Sequence, residues 1–299
     1  MHVTILGMGE IGSALSHILS GQKHVNLRCW DKNAAKAPNQ TSLEDSIRMA
    51  DLIFVCVPSW NLRGALINIS PFMSSSAGII SLAKGMEKES HKTVDEILQE
   101  LSGDRPFGIL GGPMIAEEML TNKLTSGAFA TTSPTLRSQV KRLFKGSRLR
   151  IRTTQDVRGT ALCGLLKNVY TLSLGIAEGL ELGENAKGTL FSCALKEMQV
   201  LTKLLGGKPA TVLSLAGAGD FYATSLSTHS RNLKVGIVLG TGGDGHLESE
   251  GFVSLRCLSK LIPTPHKSKL PLLTALIEIA EQQAPASVLT QAIFTGHSG

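Results

Sequence analysis

The sequence predicts an α/β domain with a doubly wound, mostly parallel sheet, followed by an all-helical domain. In the first half of the chain, short apolar runs alternate with stretches of helical periodicity, which is typical of a parallel sheet covered on both faces. After residue 154 the strand pattern stops and only helical periodicity continues. We therefore expect a first domain over residues 1–154 and a second over residues 155–299.

Seven short apolar runs in the first half carry the strand pattern. They span residues 2–6, 25–30, 51–57, 78–83, 107–111, 127–132 and 148–153. Between them, the spacing of apolar residues predicts helices over residues 11–20, 42–50, 62–69, 92–101 and 134–144. Ser42, with Asp45 three residues later, and Ser133 before Pro134 are typical helix starts.

The second half contains helical segments separated by glycines. The predicted helices span residues 157–181, 185–205, 209–215, 231–239, 249–261, 270–281 and 286–294. Gly183, Gly206 with Gly207, and Gly242 with Gly243 indicate helix ends and turns. Ligands of proteins with this organisation commonly bind in a cleft between the two parts.

Composition narrows the class of protein. The chain has 299 residues, 42% of them hydrophobic, which is ample for two packed cores. No apolar run approaches the roughly 20 residues of a membrane helix, and the first strand pattern begins at residue 2. We expect a soluble, cytoplasmic protein without membrane insertion. The cysteines are odd in number and form no CxxC pair, which predicts reduced thiols and no zinc site: Cys29, Cys56, Cys163, Cys193 and Cys257.

The formal net charge of +6 suits an anionic ligand and would also suit nucleic acid. Aromatic residues make up only 4% of the chain, too few for base-stacking platforms, and most basic residues are scattered. One basic cluster, over residues 137–152, alternates with apolar residues and is interpreted as a solvated helix face followed by a strand. We therefore expect a small-molecule ligand and no nucleic acid.

A glycine motif stands directly after the first predicted strand and opens the first helix. It reads GxGxxG and comprises Gly7, Met8, Gly9, Glu10, Ile11 and Gly12. In this position the first glycine makes a tight turn, the second admits a pyrophosphate, and the third lets the helix pack on the strand. The helix N-terminus then faces the phosphates. The motif predicts a Rossmann-type domain that binds a nicotinamide dinucleotide.

Asp31 ends the second predicted strand, 19 residues after Gly12. An acidic residue at about this spacing typically accepts the ribose 2′-hydroxyl of NAD and repels a 2′-phosphate. Lys32 and Lys36 follow closely and would suit the 2′-phosphate of NADP, and Asp31 would also suit an ordinary turn or helix cap. We expect NAD, with NADP as the alternative.

Two lysines interrupt long neutral stretches. Lys84 ends a predicted strand, and the carboxyl end of a parallel strand is where open α/β sheets bind ligands. Lys167 stands on a very apolar predicted helix, where it either reaches the surface or points into a cleft. Because a partly desolvated lysine loses proton affinity, it can exchange a proton with a substrate. The structural alternatives are an ordinary strand-end lysine and a snorkelling one.

Three further sites combine charge with turn chemistry. Asp220 is the only charged residue between Lys208 and Arg231, so it is expected to have a cationic partner or to cap a helix. Ser230, Arg231 and Asn232 open a helix with groups that suit a phosphate, unless Ser230 is only a cap and Arg231 only a surface residue. Gly112 follows another predicted strand, in a turn whose amides would suit an anion.

A series of short motifs spans nearly the whole chain. They are residues 7–12, Val57-Pro58-Ser59, Lys84-Gly85-Met86-Glu87, Gly112-Pro113, Leu166-Lys167-Asn168, Gly183-Glu184-Asn185-Ala186, residues 215–220, Ser230-Arg231-Asn232 and Glu250-Gly251. In this order they resemble the bacterial-type NAD(P)-dependent glycerol-3-phosphate dehydrogenases. One departure is Met114, which stands where that family usually has Ser or Thr beside the substrate.

The resemblance implies reduction of glycerone phosphate to sn-glycerol 3-phosphate. Helical domains of this kind often pair, so we expect a homodimer. The resemblance also implies that Lys167 is the general acid, that Lys84 polarises the carbonyl, and that Asp220 orients Lys167 or holds a substrate hydroxyl. Further substrate contacts are implied for Gly112, Ser230, Arg231 and Asn232. Cofactor contacts are implied for residues 7–12, Asp31, Pro58, Lys84, Ala116, Arg231 and Glu250.

Two other hypotheses stay open. One is a related two-domain dehydrogenase that acts on another small hydroxy or keto acid, and the other is a dinucleotide-binding sensor without turnover. Lys167, Asp220 and Arg231 together favour the glycerol-3-phosphate dehydrogenase hypothesis over the first. The intact glycine motif, together with the candidate proton donors, disfavours the sensor.

Overall fold

The computed structural model describes residues 1–243, 248–262 and 269–295. The chain forms two compact units, the first from Met1–Lys84 and Val94–Ala161 and the second from Gly85–Thr93 and Leu162–Gly299. The first unit extends past residue 154 because Arg158 forms an ion pair with Asp95 at 3.1 Å and Ala161 is buried in that unit's core. Residues 85–93 belong with the second unit, where the Glu87 carbonyl accepts the Cys257 thiol.

The first unit is built on a seven-stranded sheet with the order β2-β1-β3-β4-β5-β6-β7. Neighbouring strands are parallel except β5 and β6, which are antiparallel. The strands are β1 (His2–Leu6), β2 (Asn26–Trp30), β3 (Leu52–Val55), β4 (Gly78–Ser81), β5 (Phe107–Gly111), β6 (Thr125–Ala130) and β7 (Leu149–Thr154). The predicted α/β class with a mostly parallel sheet is confirmed.

Helices cover both faces of this sheet. They are α1 (Glu10–Ser20), α2 (Leu43–Arg48), α3 (Leu62–Ile69), α4 (Val94–Leu101), α5 (Ala116–Leu120) and α6 (Pro134–Leu143). The two predicted helix starts are confirmed, because the Ser42 hydroxyl accepts the Asp45 N–H at 3.0 Å and the Ser133 hydroxyl accepts the Leu136 N–H at 3.2 Å. Helix α5 was not predicted, since five residues are too few to show a period.

Side chains from alternate positions of the strands enter two separate cores. Leu52 and Phe54 pack into the core on the side of α1 and α6, whereas Ile53 and Val55 pack into the core on the side of α3 and α4. All four residues of β3 are buried, as expected for a central strand covered on both faces. This double core holds the carboxyl ends of the strands, and the loops after them, in fixed positions.

The described part of the second unit is helical apart from an isolated bridge between Met86 and Thr93. Its helices are α7 (Val157–Gly179, which starts in the first unit), α8 (Gly183–Leu204), α9 (Asp220–Ser225), α10 (Arg231–Gly240), α11 (Glu250–Leu261), α12 (Pro271–Gln282) and α13 (Val288–Thr295). The helix predicted over residues 209–215 is wrong in detail. It is a 3₁₀ helix, Pro209–Leu213, followed by a π-helical turn, Leu215–Gly219, because Ser214 is extended and its hydroxyl accepts the Ala216 N–H at 3.2 Å.

Helix α7 is the central helix of the second unit. Every residue from 161 to 177 is buried, so this very apolar helix is surrounded by protein on all sides. In the described part of the chain, α7 is the one helix long and apolar enough to cross a membrane, and its most apolar window is fully buried within the protein. These observations identify it as a core helix.

Two glycine pairs bring α7 and α10 into backbone contact. A Cβ at Gly175 would lie 2.2 Å from the Leu233 carbonyl oxygen and 2.8 Å from the Gly236 Cα. A Cβ at Gly179 would lie 2.5 Å from the Ile237 carbonyl oxygen and 3.0 Å from the Gly240 Cα. The two helices therefore cross at a distance that only glycine permits, which fixes the N-terminus of α10 relative to α7.

Candidate active site

The glycine motif forms the loop between β1 and α1. Gly7 has a φ of +97°, which side chains rarely adopt, and its N–H donates to the Trp30 carbonyl at 2.8 Å. A Cβ at Gly12 would lie 1.9 Å from the Gly7 carbonyl oxygen, so the helix can approach the loop only with glycine there. Gly9 precedes α1, and no side chain caps that helix end. The loop and the uncapped helix N-terminus fit a pyrophosphate.

The remaining motif residues are partly accessible. Met8 and Ile11 are half-buried, and Glu10 is exposed in the first turn of α1. Pro58 is exposed and precedes the 3₁₀ turn Ser59–Asn61, in the loop that follows β3. Because β1 and β3 are neighbouring parallel strands, these two loops lie at the same edge of the sheet.

Asp31 holds the glycine loop through its carboxylate. One oxygen accepts the Met8 N–H at 2.6 Å and the other accepts the Asn33 N–H at 2.8 Å. Its own N–H donates to the Gln40 side chain at 2.7 Å. Asp31 thus stabilises a turn through Asn33, which was one of the roles the sequence left open. It also bonds to Met8 of the glycine motif. Lys32 and Lys36 are exposed beside it.

Lys84 and Gly112 come together within the first unit. Lys84 follows β4 and is half-buried, and its ammonium donates to the Gly112 carbonyl at 3.4 Å. Gly112 follows β5 with a φ of +104°. Ala116 is buried at the start of the short helix α5. Met114, the departure from the family pattern, is 8% exposed and packs in the core with its sulfur near Gly127.

The second unit buries an ion pair between α7 and α9. The Lys167 ammonium lies 3.4 Å from an Asp220 carboxylate oxygen, and the two side chains are 7% and 4% exposed. It donates a shorter bond, 2.7 Å, to the Thr224 hydroxyl. The predicted cationic partner of Asp220 is therefore Lys167, and the alternative that Lys167 is a snorkelling surface lysine is wrong.

A π-helical turn sets the position of Asp220. The turn ends at Gly219, and Asp220 is the first residue of α9, so its carboxylate does not serve as the N-cap. Thr224 stands four residues later, on the same face of α9, and its hydroxyl lies 3.5 Å from the Asp220 carboxylate. Irregular helical turns of this kind are frequent at functional sites.

The Ser230-Arg231-Asn232 segment has mixed surroundings. Ser230 is the N-cap of α10, and its hydroxyl accepts the Leu233 N–H at 3.3 Å. Arg231 is exposed. Asn232 is 8% exposed; its amide donates to the Asn168 side chain at 2.9 Å, and its oxygen accepts the Gly251 N–H at 2.9 Å.

These bonds join α7, α10 and α11 beside the buried ion pair, because Asn168 is the neighbour of Lys167. Glu250 begins α11 next to Gly251 and is half-buried, and that helix is capped by the Ser249 hydroxyl at 3.3 Å from the Phe252 N–H. Sequence reasoning did not find the roles of Thr224 and Asn168. Both are small polar residues within helices, Asn168 buried and Thr224 half-buried, which is the one signal that would have pointed to them.

The glycine loop with its open helix end, joined in one chain to a domain with a buried lysine–carboxylate pair, defines a dinucleotide-dependent dehydrogenase. Two family models match the chain: NAD-dependent glycerol-3-phosphate dehydrogenase N-terminus over residues 36–136, and the C-terminus of the same family over residues 156–291. The chain belongs to the NAD-dependent glycerol-3-phosphate dehydrogenase family and is an NAD(P)-dependent oxidoreductase.

Individual relatives agree with the family models. The chain is 33% identical to glycerol-3-phosphate dehydrogenase [NAD(P)+] of Acinetobacter baylyi over 264 residues, which covers 81% of this chain and 73% of the relative. It is 32% identical to the protein of the same name from Acidithiobacillus ferrooxidans, with 81% and 76% covered. The crystal structure of glycerol-3-phosphate dehydrogenase from Coxiella burnetii matches with a TM-score of 0.86 and 26% identity, covering 98% of this chain and 97% of that one.

Proposed function

We propose that this protein reduces glycerone phosphate to sn-glycerol 3-phosphate, reversibly, with Lys167 as the general acid and base. The observation that carries the proposal is the buried ammonium of Lys167, held by Asp220 and Thr224 within the region that the family's C-terminal model matches. A bound reduced nicotinamide supplies the hydride in this family of enzymes. The protein has to supply one proton and to stabilise charge.

Lys167 supplies the proton in this proposal. As the carbonyl oxygen of glycerone phosphate gains negative charge, a proton on the Lys167 ammonium passes to that oxygen and gives the hydroxyl of the product. Asp220 keeps the ammonium paired before the transfer and stays an anion throughout. In the reverse direction the neutral amine takes the hydroxyl proton. Lys84 polarises the same carbonyl, because a cation near the oxygen stabilises its developing charge.

The phosphate end of the substrate is assigned to the start of α10. Arg231 is exposed and carries a bidentate donor, and the N-terminus of α10 adds the favourable end of the helix dipole. Ser230 and Asn232 complete the proposed contact, although their side chains also make the bonds described above. On the first unit, the backbone of Gly112 is the proposed contact with the substrate.

The cofactor is assigned to residues 7–12, Asp31, Pro58, Lys84, Ala116, Arg231 and Glu250. Asp31 favours NAD over NADP, because its carboxylate would repel a 2′-phosphate, and its bonds to Met8 and Asn33 hold it in place. Titration of the purified protein with NADH and with NADPH tests this assignment. Tighter binding of NADPH would contradict it and point to Lys32 and Lys36.

Three substrates distinguish the proposed reaction from its alternatives. NADH oxidation is followed with glycerone phosphate, with ketopantoate and with small 2-keto acids. We expect turnover only with glycerone phosphate. Activity confined to a carboxylate substrate would assign the protein to another dehydrogenase class, and NADH binding without any turnover would favour the sensor.

Lys167→Ala tests the general acid. We expect loss of turnover, by at least about 100-fold, with NADH affinity retained, because the ammonium acts on the substrate. Lys196→Ala, an exposed lysine on α8, is the matched control and should keep normal activity. Loss of NADH binding in Lys167→Ala would show that Lys167 has a different role.

Arg231→Ala tests the phosphate contact. We expect a higher KM for glycerone phosphate, since a charge-assisted bond to phosphate is lost. An unchanged KM would contradict the assignment.

We further propose a cytoplasmic homodimer that binds no nucleic acid. Sedimentation equilibrium of the full chain tests its oligomeric state, and a single species of 31.7 kDa would refute the dimer.

A further inference from the structure

The charge of this protein is concentrated in one segment. Residues 137–152 contain seven Lys and Arg residues and no Asp or Glu. The whole chain has 30 Lys and Arg against 24 Asp and Glu, so the other 23 basic residues are outnumbered by the acidic ones. The excess positive charge of the protein therefore lies on the basic edge, the name used here for residues 137–152, which comprise most of α6, the turn after it and the first part of β7.

The basic edge is open to solvent. Six of its seven cations are exposed, and Arg137 is half-buried. In the described part of the chain, none of the seven makes an ion pair. The members are Arg137, Lys141, Arg142, Lys145, Arg148, Arg150 and Arg152. Such a concentration of unpaired charge repels itself and attracts a polyanion.

Three arginines at the start of β7 form a regular row: Arg148 directly precedes the strand, and Arg150 and Arg152 lie on it. β7 is the last strand of the sheet, and Arg148, Arg150 and Arg152 alternate with Leu149 and Ile151, which pack on the core. Residues two apart on a strand point to the same face, about 7 Å from each other. The charges of such a row complement a flat, repeating array of negative charges better than they complement a single small anion.

Exposed leucines lie next to this row. Thr125 pairs with Leu149 in the parallel register of β6 and β7, and its N–H donates to the Arg148 carbonyl at 3.1 Å. Leu124, one residue earlier, therefore lies beside Arg148, and it is 70% exposed. Leu120, at the end of α5, is 44% exposed. Large apolar side chains flanked by cations are typical of proteins that bind at the interface of a lipid bilayer.

We propose that the basic edge docks this protein onto an anionic lipid surface, with Leu124 in the interfacial layer. Lipid fits better than nucleic acid for two reasons. An exposed leucine makes no favourable contact with a phosphate backbone, and aromatic residues, on which bases would stack, make up only 4% of the chain. None of the residues assigned above to cofactor or substrate lies within residues 137–152, so the basic edge contributes no residue to the proposed site.

Vesicle sedimentation tests the proposal. The full chain is mixed with vesicles of equal parts phosphatidylglycerol and phosphatidylcholine, or of phosphatidylcholine alone. We expect binding only to the anionic vesicles, and its loss between 0.05 and 0.5 M salt, because salt screens exposed charges. Protein that stays in the supernatant with anionic vesicles at low salt would overturn the proposal.

Two triple variants separate position from net charge. Arg148→Glu with Arg150→Glu and Arg152→Glu should weaken vesicle binding about 100-fold or more, at roughly fivefold for each cation lost. Lys88→Glu with Lys196→Glu and Lys203→Glu makes the same charge change at exposed lysines elsewhere and should have a far smaller effect. Equal losses in the two variants would overturn the proposal. Unchanged turnover of soluble substrates shows that each variant is folded.

Leu124→Ser separates lipid from nucleic acid and does not depend on the folding of a triple variant. We expect it to weaken binding to anionic vesicles about tenfold, because the leucine side chain no longer leaves water. Affinity for a duplex oligonucleotide at the same salt should be unaffected and weaker than for vesicles. If the wild-type protein prefers the oligonucleotide and Leu124→Ser changes neither affinity, the proposal is overturned in favour of nucleic acid.

Discussion

Glu197 is a buried carboxyl group of the second unit that ties stability to pH. It lies on α8, 2% exposed, and one of its oxygens accepts the Tyr170 hydroxyl at 2.7 Å. Its oxygens also accept the Leu272 and Leu273 N–H groups, at 2.6 and 2.9 Å, so it caps α12, whose own N-cap residue makes no side-chain bond. Burial raises the pKa of Glu197 from 4.5 to about 7, and the three hydrogen bonds oppose burial only in part.

The sign of the pH effect follows from this raised pKa. Between pH 4.5 and 7 the folded protein keeps a proton on Glu197 that the unfolded chain releases. The contribution to stability is therefore complete below pH 4.5 and is lost as the pH rises through 7. Each unit of pKa shift is worth about 1.4 kcal/mol. The difference between 4.5 and about 7 in the pKa of Glu197 thus corresponds to about 3 kcal/mol of unfolding free energy across this pH range.

Glu197→Gln removes the titration while keeping the shape of the side chain. We expect the free energy of unfolding of the wild type, minus that of the variant, to fall by about 3 kcal/mol between pH 4.5 and pH 8. Urea unfolding at several pH values, followed by far-ultraviolet circular dichroism, reports mainly on the second unit, which contains most of the helical residues. Trp30 and Trp60, the chain's two tryptophans, lie in the first unit, so their fluorescence reports its unfolding separately.

Glu184→Gln is the matched control. Glu184 is on the same helix, but its side chain is 87% exposed, and replacing it should leave the pH profile of stability as in the wild type. A difference between wild type and Glu197→Gln that is constant with pH would show that the hydrogen bonds from Tyr170, Leu272 and Leu273 offset burial completely. A difference that grows with pH would reverse the reasoning.

Two further predictions concern the helices around Lys167. Gly175→Ala should lower the free energy of unfolding by about 1–3 kcal/mol, because α7 and α10 must separate to make room for the Cβ. Gly188→Ala, on an open face of α8, should raise it by up to about 1 kcal/mol. Urea unfolding measures both free energies, and equal effects of the two substitutions would contradict the glycine contact. Thr224→Val should lower kcat about 10- to 100-fold, because the 2.7 Å bond from the Lys167 ammonium is lost, and Thr224→Ser should keep most of the wild-type kcat. A pH–rate profile of Thr224→Val identical to that of the wild type would show that the hydroxyl does not position the ammonium.

Local sequence determined much of the first unit. The strand and helix order, the helix starts at Ser42 and Ser133 and the glycine turn at Gly7 depend on residues within a few positions of one another. Such short-range preferences leave a period or a motif that can be recognised in the sequence. The family resemblance added the reaction, and the family models and relatives confirm that assignment.

Only the tertiary structure decided which distant groups meet. Lys167 and Thr224 are 57 positions apart, Asn168 and Asn232 are 64 apart, and Glu197 caps a helix that begins more than 70 residues later. Periodicity shows that a helix has an apolar face but not which helix covers it, and α7 turned out to be covered on every side. The pairing of buried polar groups is set by how the helices pack, because each buried donor or acceptor must find a partner wherever the backbone places it.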